Sequence, residues 1–281
     1  MKFIFIIMSL FTVQAYAVKL PINQLMSEVQ QAEISTTANY DFEGIVALSN
    51  CSGSLIQFEG MSDDSQAYVM TNGHCVEMGF VNPGSALYKQ PSKRDFTLLK
   101  PNSSNAGVIT AVELVYATMT NTDLAIYKVR QTYSEIKTKY NIRPYIMDSR
   151  KPYEGENIEV ISGYWKRGYS CNIDTYIHEL REDKWTFRDS MRYTNTGCNT
   201  IGGTSGSPVI RAGTKTVIGI NNTGNENGRK CTMNNPCEVD ANGVVNVIKG
   251  ASYGQQTYNI YTCLTSTNEI DLSKAGCNLT K

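Results

Sequence analysis

Histidine is nearly missing from this chain, with two residues in 281. Any chemistry that runs through an imidazole must therefore use His74 or His178. Net charge is missing altogether. The 26 Lys+Arg are matched by 26 Asp+Glu, so the basic footprint that non-specific nucleic-acid binding needs is not there. Charged residues are 19% against a hydrophobic set of 41%, a balance that does not fit intrinsic disorder. Internal repeats and low-complexity tracts are absent too. Beyond Val13 no apolar stretch is long enough for a membrane helix, which takes about 20 residues.

The one long apolar run lies at the start. Lys2 forms a short positive region, Phe3 to Val13 (FIFIIMSLFTV) follows, and Ala15-Tyr16-Ala17 supplies a small-x-small cleavage pattern. That run is too short to span a bilayer and has the layout of a signal peptide over residues 1–17. The expectation is an exported protein, secreted or periplasmic, free of the membrane once the signal is removed. Residues 18–43 read as a propeptide or an N-terminal segment, with Ile22, Leu25, Met26 and Val29 on one helical face.

Export changes how the cysteines are read. Cys51, Cys75, Cys171, Cys198, Cys231, Cys237, Cys263 and Cys277 are even in number and imply a disulfide framework in an oxidising compartment. None has the C-x2-C spacing of a zinc site, and only two histidines could complete one. No metal and no organic cofactor is expected.

From Gly44 onward the texture is that of strands. Short runs rich in Val, Ile, Tyr and Thr recur at 44–49, 67–72, 107–117, 124–129, 157–162, 171–180, 207–210 and 216–221. Charged, proline-containing sequence from Arg130 to Glu156 separates two sets of them. Many short strands with few helical stretches argue for β-barrels or a sandwich, in a chain long enough to bury a substantial core.

Three places carry chemistry. Ser205 stands in Gly202-Gly203-Thr204-Ser205-Gly206-Ser207-Pro208. Glycines there let the backbone turn sharply and present N–H groups to a substrate carbonyl without a Cβ in the way. The G-x-S-x-G elbow of α/β-hydrolases does not fit, because Ser207 occupies its second glycine position. His74 sits at a strand end, in Thr71-Asn72-Gly73-His74-Cys75, beside a cysteine that can anchor it. His178 lies inside an alternating strand-like run with no loop chemistry around it, so His74 is the candidate base. Asp123 precedes the apolar strand Leu124-Ala125-Ile126-Tyr127, where a carboxylate could orient an imidazole. Taken singly, each of these has a bland reading as a turn or a satisfied side chain. The order His, Asp, Ser is less easily dismissed.

These segments resemble the trypsin/chymotrypsin family of serine endopeptidases. Cys51-Ser52-Gly53-Ser54-Leu55-Ile56 is similar to the family's C-G-G-S-L-I strand, and Thr71–Cys75 to its T-A-A-H-C. Thr122-Asp123-Leu124-Ala125 stands for its D-[IL]-A element, and Gly203–Pro208 for its G-D-S-G-G-P. Tyr258–Thr262 resembles the family's last strand. The resemblance implies an all-β fold of two antiparallel six-stranded barrels with the active site in the cleft between them. The first barrel would span 44–140, and the second, with a C-terminal segment, 141–281. It also implies an acyl-enzyme mechanism acting on protein or peptide substrates, with His74, Asp123 and Ser205 catalytic and the N–H groups of Gly203 and Ser205 as oxyanion hole. It specifies no oligomeric state. The alternative is a catalytically silent homologue acting as a secreted binding module.

One disulfide, Cys51–Cys75, is implied by the resemblance. Proximity suggests Cys231–Cys237 and Cys263–Cys277, which leaves Cys171–Cys198. The chain departs from trypsin in having Thr204 where the family has aspartate, and no I-V-G-G start preceded by Arg or Lys occurs, since Ile45-Val46 follows Gly44 and continues into Ala47-Leu48, so zymogen activation by that ion pair is not expected. The Ser-Gly-Ser-Pro ending is similar to the bacterial branch near the glutamyl endopeptidases. Asn199, six residues before the serine, replaces trypsin's pocket aspartate. Asn221 stands where glutamyl endopeptidases have histidine. A polar, uncharged pocket is the expectation.

Overall fold

A computed structural model describes residues 40–281. The expected signal peptide, cleavage site and helical face within 18–39 lie outside the described residues.

The architecture is almost entirely β. In chain order the elements are β1 (Ile45–Ala47), β2 (Ser52–Phe58), β3 (Gln66–Thr71), β4 (Ala86–Pro91), β5 (Asp95–Leu99), β6 (Asn105–Thr118) and β7 (Leu124–Thr132). The helix α1 (Tyr133–Tyr140) follows, then β8 (Tyr145–Met147), β9 (Asn157–Ser162), β10 (Arg167–Glu182), β11 (Trp185–Tyr193), β12 (Pro208–Arg211), β13 (Thr216–Gly224), β14 (Cys237–Val239), β15 (Val245–Asn246) and β16 (Ser252–Gln256). Strands β1, β5, β6, β7, β3 and β2 pair antiparallel in that order, and β2 returns to β1, closing a six-stranded barrel. A second ring closes in the same way through β12, β9, β10, β11, β16 and β13. Between them β8 pairs parallel with β2 on one side and β13 on the other.

The barrels explain why these strands are apolar on both faces. Along β3 and β7, Val69, Ala125, Tyr127 and Val129 point into the first barrel. Their neighbours Tyr68, Met70, Leu124 and Ile126 join a second core with Ile210, Val217 and Ile220 from the other ring. Ile158, Val160, Ile173, Met191, Val209 and Ile218 fill the second barrel. A strand covered on both sides has no polar face. The long β6 bends through register shifts at Ala111/Glu113 and Leu114/Tyr116, as a strand must to curl around a closed barrel.

Within the segment from Arg130 to Glu156, which separates the two sets of strands, Thr132 and Glu135 form a reciprocal capping box that starts α1. One local expectation needs correction: Tyr258–Thr262 is not a strand. A 3-10 turn spans Tyr258–Cys263 and buries Ile260 and Cys263, three residues apart, which is the helical period rather than the alternation of a strand. The last strand is β16.

Four disulfides join Cys51–Cys75, Cys171–Cys198, Cys231–Cys237 and Cys263–Cys277. After the last strand, residues 264–281 pack on the first barrel. The Tyr116 hydroxyl donates to the Thr280 carbonyl at 3.1 Å, and Lys128 pairs with Glu269 at 2.8 Å.

Candidate active site

Each candidate side chain is placed by a different device. His74 lies in a single 3-10 turn, Gly73–Cys75, directly after β3. The Cys51–Cys75 disulfide ties this turn to the start of β2. Asp123 opens β7 and is 1% exposed. Both its oxygens are used by one residue: Oδ1 accepts the His74 backbone N–H at 3.0 Å, and Oδ2 lies 2.7 Å from His74 Nδ1. The Asn72 amide donates to the Asp123 carbonyl at 2.7 Å. The loop before Asp123 is held from the other ring, where Asn121 N–H donates to Thr186 O and Arg188 N–H to Asn121 O, at 3.0 and 2.8 Å.

Burial alone would lower the His74 pKa. The charge and hydrogen bond of Asp123, with a further contribution from Glu182, outweigh it and raise the pKa above the ordinary histidine value. His178 faces solvent on β10.

Ser205 sits in the turn before β12. Its carbonyl accepts the Ser52 N–H at 2.8 Å, and Gly206 N–H donates to Asn221 O at 3.0 Å. Glycine is required at position 206. Its φ is +82°, and a Cβ there would strike the Ser52 carbonyl and the Thr71 hydroxyl. Gly203 has φ +88°, and a Cβ would come within 2.8 Å of the Tyr164 ring. Among the described residues neither the Gly203 nor the Ser205 N–H has an acceptor. The Gly203 carbonyl, by contrast, has a donor: Ser52 Oγ donates to it at 3.0 Å and also contacts Ser162 Oγ at 2.9 Å. Ser52 and Ser162 are fully buried. The Trp165 indole donates to the Gly202 carbonyl at 2.7 Å.

His74, Asp123 and Ser205 line one cavity of about 490 Å³. The Ser205 hydroxyl donates to the Asn222 carbonyl at 3.2 Å rather than to His74. Asn199 and Asn221 line the same cavity. Asn221, however, is 2% exposed and commits its amide to the Thr204 carbonyl at 3.2 Å, so it braces the serine turn.

Sequence reasoning missed two residues here. Glu182 and Glu226 also line the cavity, so it is not uncharged. Glu182 lies in the run Glu179–Lys184, which reads as a solvated charge cluster. Only its pairing with Trp185 at the tip of the β10–β11 hairpin turns it inward, leaving it 6% exposed.

Donor atoms of Cys51, His74 and Cys75 lie within 4.8 Å of one another. Both sulfurs are in the disulfide, which leaves no thiolate for a metal.

A family model for a trypsin-like peptidase domain matches residues 51–220, more than half of the chain. No curated protein matches in sequence. The chain is similar to the MamO protease domain from Magnetospirillum magneticum in its apo form, at 13% identity and a TM-score of 0.50, covering 82% of this chain and 100% of that one. It is also similar to Thermobifida fusca protease A, at 14% identity and a TM-score of 0.41, covering 77% and 90%. At such identities the likeness concerns the fold alone.

Proposed function

The chain belongs to the trypsin-like peptidase family, and on that premise we propose that it is an exported serine endopeptidase using His74, Asp123 and Ser205. In this reading Ser205 Oγ attacks the scissile carbonyl while His74 Nε2 takes its proton. Asp123 fixes the tautomer through Nδ1 and stabilises the imidazolium, and His74 then protonates the leaving amine. Water repeats the sequence on the acyl-enzyme. The free N–H groups of Gly203 and Ser205 receive the oxyanion, where loss of one donor costs on the order of 3–4 kcal/mol of barrier.

The observation that carries the reading is the 2.7 Å contact between His74 Nδ1 and a carboxylate that is 1% exposed. Burying an aspartate there is costly unless it is paired, and here the imidazole and its own backbone N–H satisfy both oxygens. The bond from Ser205 to Asn222 is compatible with this chemistry. Rotation about χ1 re-aims the hydroxyl, and catalytic hydrogen bonds often tighten only when substrate is bound. Four disulfides and the N-terminal apolar run support an extracellular or periplasmic location. Among the described residues no helix is long and apolar enough to cross a membrane.

Labelling with a fluorophosphonate probe tests the assignment. The wild type should label, and Ser205→Ala and His74→Ala should not. A folded wild type that stays unlabelled overturns it.

A further inference from the structure

Glu182 is a buried carboxylate whose Oε1 accepts the Asn234 N–H at 2.7 Å. Among the described residues His74 is the one group of opposite charge that acts on it, and no lysine or arginine forms an ion pair with it. Elsewhere in the molecule buried carboxylates have such partners: Asp148 meets Arg150 and Arg211, Glu156 meets Arg211, and Glu43 meets Lys215. Unlike those three, Glu182 lines the cavity holding Ser205. Three carboxylates, Asp123, Glu182 and Glu226, face that cavity, and no Lys or Arg does. Asp123 is taken up by His74. Glu182 and, at the exposed rim, Glu226 remain.

A carboxylate taken out of water and left without a counter-charge is costly. The cost is recovered when a ligand brings the cation, and in a water-poor pocket that pairing discriminates strongly between a charged group and its neutral isostere. The aromatic rings beside Glu182 suit the aliphatic stem of such a ligand. Trp185 is its pairing neighbour, and Phe80 stacks edge-on against Trp185 at 5.4 Å and against His74 at 6.1 Å. A long side chain with a charged tip buries its stem on apolar surface and extends the tip to a polar partner.

We propose that Glu182 is a specificity-determining residue that binds the ammonium or guanidinium of a lysine or arginine side chain of the substrate, on the wall of the cavity beside His74. Asn199, which lines the same cavity, supplies no charge to this selection. Glu226 at the rim adds a long-range attraction of the same sign. The inference rests on the peptidase reading for the word substrate, while the cation site itself does not depend on turnover.

Calorimetric titration of the full protein with benzamidine and with its neutral isostere benzamide separates the two. Benzamidine should bind roughly 10–100-fold more tightly than benzamide. Glu182→Gln, which keeps an oxygen to accept the Asn234 N–H, should bring that ratio close to one. Glu182→Asp should retain most of the ratio, and Glu226→Gln should reduce it only slightly. In a peptide-library digest, Lys and Arg should be enriched at one position, and the enrichment should vanish in Glu182→Gln. Equal binding of the two probes by the wild type, or a ratio unchanged in a folded Glu182→Gln, overturns the proposal. The labelling experiment on the same samples keeps the two readings apart. Labelling without cation preference removes this inference and leaves the peptidase, whereas cation preference without labelling keeps the site and removes the peptidase.

Discussion

The two sides of the cleft are built differently. The first barrel presents His74 on a one-turn segment clamped by a disulfide, and both oxygens of Asp123 are satisfied by that one residue. The second presents Ser205 in a glycine-rich turn whose two critical N–H groups are free and whose hydroxyl points to Asn222. What holds that turn comes from both barrels, through the N–H and hydroxyl of Ser52 in the first and through Asn221 and Trp165 in the second. The base pair is therefore closed on itself, His74 satisfying both Asp123 oxygens, while the serine turn is held only through its carbonyls and flanking residues, in part from the other barrel. In the proposed mechanism the histidine and its carboxylate hold one geometry through the reaction, whereas the turn leaves donors unpaired for the transition state, so its support reaches it from behind.

The largest effect should come from breaking the base side. Asp123→Asn leaves the shape but supplies an amide where Nδ1–H needs an acceptor, and turnover of a peptide substrate should fall by about 10⁴. Ser52→Ala tests the support from the other barrel. Without the hydroxyl the Gly203 carbonyl loses its donor, and the oxyanion N–H groups lose their aim. The expected result is a roughly 10–100-fold fall in kcat with KM little changed; a raised KM with kcat unchanged would mean that Ser52 only shapes binding. Removing the clamp by Cys51→Ser with Cys75→Ser should destabilise the fold by about 2–5 kcal/mol in a denaturant titration, with activity at saturating folded protein less affected than in Ser52→Ala.

How much of this was legible differs along the same line. His74, Asp123 and Ser205 could be singled out as candidates because His74 and Ser205 sit in short segments with glycine or cysteine beside them for steric or covalent reasons, and Asp123 directly precedes an apolar strand. The support of the serine turn could not be found. Ser52 is an ordinary serine in a strand, and its importance depends on Gly203, far away in sequence, arriving opposite it. Glu182 hid for the same reason in a run of charges.

Smaller effects follow from protonation. The proposed reaction needs neutral His74, whose pKa is raised, so kcat/KM should fall on acidification with its midpoint above the ordinary histidine value of about 6.5. For stability the sign is the reverse. A group whose pKa is higher in the fold than in the unfolded chain stabilises fully below its unfolded value, and that contribution fades as pH rises through the folded value. His74 therefore adds stability in acid and loses it toward alkaline pH. Burial is the main cause that raises the Glu182 pKa, against the opposing Asn234 N–H, the Thr223 hydroxyl and the charge of His74, with Asp123 adding to the rise. The same sign holds: above the ordinary glutamate range its ionised form costs stability. Glu182→Gln should accordingly melt slightly higher than wild type at neutral pH, with the difference shrinking as the pH is lowered. A lower melting temperature would mean that the carboxylate is there to hold the hairpin tip to Asn234.

The sequence by itself determined the β texture, the family and the candidate catalytic residues. Those depend on local demands: alternation on a pleated strand, a left-handed glycine at 206, a cysteine beside a histidine. Three things only the tertiary structure decided. The C-terminal segment turned out to be a 3-10 turn and a wrap around the first barrel rather than a last strand. The serine turn is held in part by a strand of the other barrel. The cavity expected to be neutral holds a buried, unpaired carboxylate. Each depends on which residues meet across long separations, and barrel closure sets that.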